Sequence, residues 1–255
     1  MDARIDHLHS LRSYELELVI NYLKRYFSDR KDIRILEIGA GTGWQAEQLS
    51  RLGYFVDAID LPSSNYRDQR VFKVLDYDGN TIDYKDDYFD VIYSSNVLEH
   101  VPHIKSFQFE MKRVLKKDGI CIHLMPSSSW RIWTSFTYYL RAIKITLFSR
   151  KKDDLIAANS RKDYKSNRRR NTFTKFFPSL HGEKGNFITE IYYFSAFYWR
   201  LLFSSNEWEL LDNDGNKIFY TGNFIFGSHL PINLRKYLHF IFGSSCNIFV
   251  LKNKL

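Results

Sequence analysis

The chain has only two cysteines, Cys121 and Cys246, too few for a disulfide framework, and both sit in apolar, strand-like runs. Buried free thiols in a reducing cytosol are expected. No stretch approaches the roughly 18–20 uninterrupted apolar residues needed to cross a bilayer. The opening residues Met1-Asp2-Ala3-Arg4-Ile5-Asp6 lack a signal-peptide apolar core, which argues against export. No Cys/His spacing suggests zinc, so no metal is expected. Ser127–Ser129 lack a spaced His/Asp set for nucleophilic catalysis, and no internal repeat is visible. What remains is a chain of 255 residues, expected in the cytoplasm and long enough for one large domain with its own core or one domain carrying a sizeable insertion.

Charge is present but uneven. The formal balance is +8, yet between Trp130 and Gly185 alone there are 14 Lys/Arg against four acids. The rest of the chain is therefore slightly acidic, and the basicity belongs to one segment. The aromatic content of 17% is also high, and most of the excess lies beyond residue 125.

Apolar residues at helical spacing over 10–28 (Leu11, Tyr14, Leu18 and Tyr22 among them) predict a leading amphipathic helix. From residue 33 strand and helix patterns alternate. Strands are expected at Arg34–Gly39, Phe55–Asp60, Val71–Leu75, Val91–Ser94 and Ile120–Met125, with helices at Trp44–Leu52 and Pro102–Leu115. Such alternation implies an α/β fold with a doubly wound, mostly parallel sheet. After Pro126 it stops. Ile132, Phe136, Tyr139, Leu140, Ile143 and Leu147 form one stripe of a helix over 130–148, with Arg131 off it. Residues 149–175 read as polar, basic loop. Ser195 is placed to cap a helix through Phe203. Strand signals follow at Trp208–Leu211 and Lys217–Tyr220, then a short helix near Leu234–Phe242 and a last strand, Cys246–Leu251. We divide this single domain into a leading helix (1–30), a ligand-binding half (31–126), a basic, aromatic insertion or lid (127–190) and the C-terminal part of the sheet (191–255).

The chemistry concentrates where the first strand, Ile35-Leu36-Glu37-Ile38, runs into Gly39-Ala40-Gly41-Thr42-Gly43. Alternate glycines remove Cβ atoms where a ligand must touch the main chain. An acid closes the second strand: Asp60, followed by Leu61, can accept both hydroxyls of a ribose. Another, Asp76, closes the third and can meet an adenine amino group. The spacing is G-x-G-x-G, followed by Trp44, rather than the G-x-G-x-x-G of dinucleotide oxidoreductases.

Taken with Phe89-Asp90-Val91-Ile92-Tyr93-Ser94-Ser95-Asn96-Val97-Leu98-Glu99-His100-Val101 and Met111-Lys112-Arg113-Val114-Leu115-Lys116-Lys117-Asp118-Gly119, residues 30–126 resemble the class I S-adenosylmethionine-dependent methyltransferases, nearest their type 11 branch. The resemblance implies a seven-stranded sheet with the last strand antiparallel, and S-adenosylmethionine as cofactor. It assigns Gly39, Ala40, Gly41 and Gly43 to the methionine and ribose, Glu37 to the loop or the ammonium, and Asp60 with Leu61 to the ribose. Asp76 and Tyr77 fall to the adenine, and Ser94, Ser95 and Asn96 to the pocket floor.

A base matters when the methyl acceptor is an alcohol, because its oxygen must lose a proton. His100, after the fourth strand, is one candidate. His181 with Glu183 is another, in His181-Gly182-Glu183-Lys184-Gly185-Asn186, a segment similar to one in bacterial surface-glycan methyltransferases. The basic, aromatic insertion suits an anionic or amphiphilic acceptor, such as a sugar, glycan or lipid-linked glycan met at the inner membrane face through residues 130–175. The rival expectations are an RNA methyltransferase and a methyltransferase-like binding module without turnover. Nucleic acid is disfavoured because no RNA-binding module is recognisable and the Asn/Asp-Pro-Pro-aromatic signature of base-amino methylases is missing.

Overall fold

The computed structural model describes residues 3–28, 30–148, 177–221 and 230–254. Five strands come from its first half: β1 (Arg34–Ile38), β2 (Phe55–Asp60), β3 (Val74–Asp76), β4 (Phe89–Ser95) and β5 (Leu115–Pro126). Two more, β6 (Trp208–Gly215) and β7 (Cys246–Asn253), complete one sheet in the order β3-β2-β1-β4-β5-β7-β6. The pairs through β5 are parallel, and β7 runs antiparallel to both β5 and β6. Strand order reverses between β1 and β4, and a crevice opens beyond their carboxyl ends at such a reversal.

Side chains alternate between two covered faces, as a parallel sheet requires. Ile35, Val91, Tyr93, Ile122 and Val250 pack with Leu16, Val19 and Leu23 of α1 (Ala3–Phe27) and Leu49 of α2 (Trp44–Arg51). Their neighbours Leu36, Ile92, Cys121 and Leu251 face the other way. They meet Phe107 and Met111 of α3 (Ile104–Val114) and Trp199 and Phe203 of a later helix, Ala196–Ser205. The carboxyl-end crevice is held open between these two layers.

Three expectations shift. β3 is three residues long and starts at Val74, because Val71 N donates to Thr42 O (2.8 Å) and ties that stretch to the glycine loop instead of the sheet. β6 continues unbroken to Gly215, whereas Lys217–Tyr220 leaves the sheet: Phe219 N donates to Arg235 O (3.0 Å) and Ser245 N to Ile218 O (2.8 Å). The leading helix begins at Ala3, earlier than its apolar pattern indicated.

Beyond β5 come α4 (Ser128–Phe148), α5 (Glu190–Tyr193), α6 (Ala196–Ser205) and α7 (Ile232–Phe242). Ser195 caps α6 as expected, its hydroxyl accepting from Tyr198 N at 3.1 Å, a contact typically worth about 1 kcal/mol. α4 is turned inside out. Its apolar stripe faces outward, with Ile132 45% and Phe136 51% exposed, while Arg131, Thr134 and Thr137 are buried. The inversion is possible because Arg131 is neutralised inside: it pairs with buried Glu190 (2.7 Å) and donates to Ser179 O (3.0 Å). Trp133 then locks α4 to α7, donating to Phe242 O (2.9 Å) and packing edge-on against Phe219 and Phe242. The basic run 149–175 lies outside the described residues.

Candidate active site

The turn after β1 is held in shape by β2. Gly39 N and Ala40 N both donate to Ile59 O (2.8 and 3.1 Å), and Gly39, Gly41 and Gly43 have φ of +69°, +58° and +74°. A Cβ on Gly39 would collide with Val97, whereas one on Gly43 would lie 2.7 Å from Phe72 Cβ. Gly39 is therefore small to let the turn close on the loop after β4, and Gly43 to let α2 start against β3. Asp60 fastens the turn from the far side: its carboxylate accepts from Gly41 N (2.9 Å) and Leu61 N (2.8 Å). Each oxygen uses one lone pair there and keeps another for a ligand hydroxyl.

A cavity of about 500 Å³ opens beyond β1, β2 and β4, within the usual range of roughly 300–1,000 Å³ for small-molecule sites. Of the expected cofactor residues, Gly39, Ala40, Gly41, Asp60, Leu61, Tyr77, Ser95 and Asn96 line it. Four do not. Gly43 is turned into the α2–β3 packing just described. Asp76 is held by Arg67 (2.5 Å) and Arg70 (2.9 Å), so its carboxylate is engaged outside the cavity and only Tyr77 is left on the adenine side. Ser94 is fully buried and shares a hydrogen bond with His123 Nδ1 (2.8 Å). Glu37 is buried beneath the turn, with Oε2 unpartnered. Burial pushes its carboxyl up to about 8, against the pull of the Ala46 amide and Arg12.

At the other end of the cavity the fold joins two distant candidates. His100 and His181 both line it, with ring centroids 4.9 Å apart. Between them lies Glu99, whose Oε1 is 3.8 Å from Nε2 of each. Burial raises the Glu99 carboxyl to about 8, lowers His100, and, aided by His100 and Arg131, lowers His181 to about 4. Both shifts favour the uncharged imidazole, and the larger one leaves His181 a weakened base. Glu183 is not with them: it lines a small neighbouring pocket beside Tyr198, and its amide donates to Glu99 O (3.0 Å). The His181 loop is anchored by Glu190 Oε1, which accepts from His181 N and Gly182 N (both 2.7 Å).

Two residues escaped the sequence reading: Arg12, which lines the cavity, and Glu99, which sits between the two histidines. Glu99 was visible only as part of a motif, since nothing local shows that His181 will face it. Arg12 belongs to no motif of the sequence, yet its guanidinium reaches Ser95 Oγ (2.6 Å) and Glu15 (2.8 Å) at the cavity wall. Burial works against that charge, yet Glu15 together with Tyr93 and Cys246 outweighs it and the group stays above its ordinary range. A second cavity of about 160 Å³ shares Arg12, Asn96 and His181 with the first and is walled by Trp130 and Tyr220.

Residues 36–123 match the methyltransferase domain family. The chain is 31% identical over 129 residues to the ubiquinone biosynthesis O-methyltransferase of Rickettsia bellii, covering 48% of this chain and 53% of that protein. It is 32% identical over 111 residues to the corresponding protein of Bradyrhizobium diazoefficiens, covering 41% and 43%. The chain thus spans about half the length of the curated relatives it matches. In fold it is similar to an S-adenosylmethionine dependent methyltransferase from Mesorhizobium loti, with a TM-score of 0.53 over 91% of this chain and 96% of that one at 11% identity. The family match runs from within β1 to within β5, the strands that carry the glycine turn and Asp60, so this stretch is similar to a methyltransferase domain and the sheet around it has the fold of an S-adenosylmethionine dependent methyltransferase.

Proposed function

We propose that this chain transfers the methyl group of S-adenosylmethionine to a hydroxyl oxygen of an amphiphilic acceptor met at a membrane surface. The observation that carries the reading is the pair of adjoining cavities, with His181 in the wall of both and His100 beside it.

The larger cavity suits the cofactor. Gly39 and Gly41 expose main chain to it, Asp60 keeps lone pairs for two ribose hydroxyls, and Glu37 lies under the turn within the same unit as the expected ammonium. When bound, the cofactor supplies an electrophilic methyl on a sulfonium whose leaving group is a neutral thioether. The protein's part is then to orient the acceptor and accept one proton. Fixed orientation can contribute on the order of 7–11 kcal/mol, and His100 and His181 are the groups positioned to receive the proton. The smaller cavity, walled by Trp130 and Tyr220, supplies flat faces for a ring.

A hydroxyl on a sugar, glycan or lipid-linked glycan is our first choice of acceptor, because aromatic faces and a basic neighbourhood suit it. The second, favoured by the printed activity of the relatives, is a hydroxyl on a ubiquinone precursor. Membrane contact is supported by the outward apolar stripe of α4 and by Tyr237 (72%), Phe240 (81%) and Ile241 (75% exposed) on α7. The basic residues of 149–175 follow directly in sequence, an arrangement that suits an anionic lipid interface. No helix of the described residues is long and apolar enough to cross a membrane.

Calorimetry with S-adenosylmethionine, followed by labelled methyl transfer into lipid-linked glycan, ubiquinone-precursor and RNA fractions, tests the proposal. Label in a lipid fraction, stable as an ether, is expected. Label in RNA would replace the acceptor class, and cofactor binding without transfer to any fraction would leave only a binding module.

A further inference from the structure

We propose that Glu99, His100 and His181 bind a divalent transition-metal ion of the zinc class at the edge of the cofactor cavity. The sequence offered no metal spacing because the ligands come from two segments that only the fold brings together. One ligand atom from each of the three residues lies within 4.8 Å of the others, and Glu99 Oε1 is 3.8 Å from both Nε2 atoms. A tetrahedral ion with bonds of about 2.0–2.2 Å holds its ligand atoms about 3.3–3.6 Å apart. The two Glu99–histidine separations then need to shorten by a few tenths of an ångström and the widest separation by up to about 1.5 Å, which side-chain rotation can supply.

The second observation is the state of Glu99. Its side chain is 1% exposed, and neither carboxylate oxygen has a hydrogen-bond partner. A buried carboxylate without a partner is costly, and a cation supplies what it lacks. The donor set selects the ion: two imidazoles and one carboxylate suit zinc-like metals, whereas magnesium and calcium take mainly oxygen. The scaffold is built to hold this geometry. The loop of His181 packs directly on the Glu99 backbone, where a Cβ on Gly182 would lie 3.1 Å from Glu99 O. Glu183 N bonds that same carbonyl, and Glu190 fixes the His181 and Gly182 amides.

Three protein ligands leave a coordination position free, as in catalytic rather than structural zinc sites. Both histidines line the large cavity, so the free position opens there. An acceptor hydroxyl that took it would become more acidic and release its proton to solvent, so no imidazole need accept it. That role rests on the O-methyltransferase reading, while the existence of the site does not.

The test uses the full chain stripped with a chelator and titrated with Co²⁺, with Zn²⁺ as competitor. One equivalent of Co²⁺ with the visible absorption of a four-coordinate ion, displaced by Zn²⁺, is expected. Glu99→Gln and His181→Gln, near-isosteric changes checked by thermal melting, are expected to weaken binding at least tenfold. Absence of stoichiometric binding, or binding unchanged in both variants, overturns the site. Calorimetry with S-adenosylmethionine on the same metal-free protein separates the two ideas. Cofactor binding without a Co²⁺ site removes only the metal, whereas a Co²⁺ site without cofactor binding removes only the methyl-transfer reading.

Discussion

Helices α3 and α4 are both amphipathic, yet they bury opposite faces. α3 puts Ile104, Phe107, Met111 and Val114 into the core. α4 buries Arg131, Thr134 and Thr137 and turns Ile132, Phe136, Tyr139 and Leu140 outward. The first lies inside the stretch that matches the methyltransferase domain family, and the second begins after that match ends at residue 123. On the donor side, burial follows the usual apolar logic and the chemistry rests on backbone shape. On the side proposed for the acceptor, a buried ion pair sets which way a helix faces, and the apolar stripe stays exposed. Four changes test how independent the two sides are.

The largest effect is expected from Glu190→Ala. It strands Arg131, which is 2% exposed, and removing one partner of a buried pair typically costs about 3–5 kcal/mol. It also frees the amides of His181 and Gly182. Hydrogen exchange is expected to rise over the segment Phe177–Ser205 and the start of α4, with β1, β2 and β4 still protected. A uniform rise across the sheet would show one cooperative unit and end the distinction. Combining Glu190→Gln with Arg131→Met is expected to recover part of the loss.

On the donor side, the comparable buried acid is Glu37. Its carboxyl ionises ordinarily near 4.5 and in the fold near 8. Between those values the folded chain holds a proton that the unfolded chain has released, so stability falls as pH rises through the window and is level outside it. One proton sets a slope no steeper than about 1.4 kcal/mol per pH unit. Glu37→Gln is expected to flatten that part of the profile of melting temperature against pH; parallel profiles for the two proteins would refute it.

These two residues also mark what a reader of the sequence could see. The strands, the glycine turn and Asp60 are legible because period-two patterning and chain spacing are local properties, and the cavity they form follows from where β1 and β4 part. Asp76 misled because its position at the end of β3 is local but its partners, Arg67 and Arg70, are chosen by the fold of the intervening loop. Glu99 with His181, and Arg131 with Glu190, were hidden for the same reason. His181 stood out by itself as a candidate base, but nothing near any of the four residues in sequence names its partner. The stripe of α4 was read correctly as a stripe; its direction was not legible, because periodicity says which residues share a face and not which face is covered.

Asp60→Ala acts on the donor side alone. The carboxylate organises the Gly41 and Leu61 amides and has capacity for two ligand hydroxyls, and hydrogen bonds to a charged group are worth about 1.5–3 kcal/mol each. Affinity for S-adenosylmethionine is expected to drop roughly 10–100-fold by calorimetry. Co²⁺ binding at the histidine end is expected to stay as it was. Loss of both would mean that the glycine turn and the Glu99 cluster are coupled.

The smallest change is Phe240→Ser on α7. The ring is 81% exposed, so little packing is lost, and substitutions at such sites usually move stability by no more than about 0.5 kcal/mol. Water gains from hiding it, however, if a lipid surface covers this face: full burial of a large apolar side chain is worth about 1.5–3 kcal/mol, and an interfacial helix recovers part of that. Sedimentation with anionic vesicles is expected to fall about fivefold, with cofactor affinity and melting temperature unchanged. Unaltered vesicle binding would remove α7 from the contact, leaving α4 and the basic run after it to carry the membrane reading alone. An altered cofactor affinity would be more damaging, because it would mean that the outward apolar face already serves the donor site from behind.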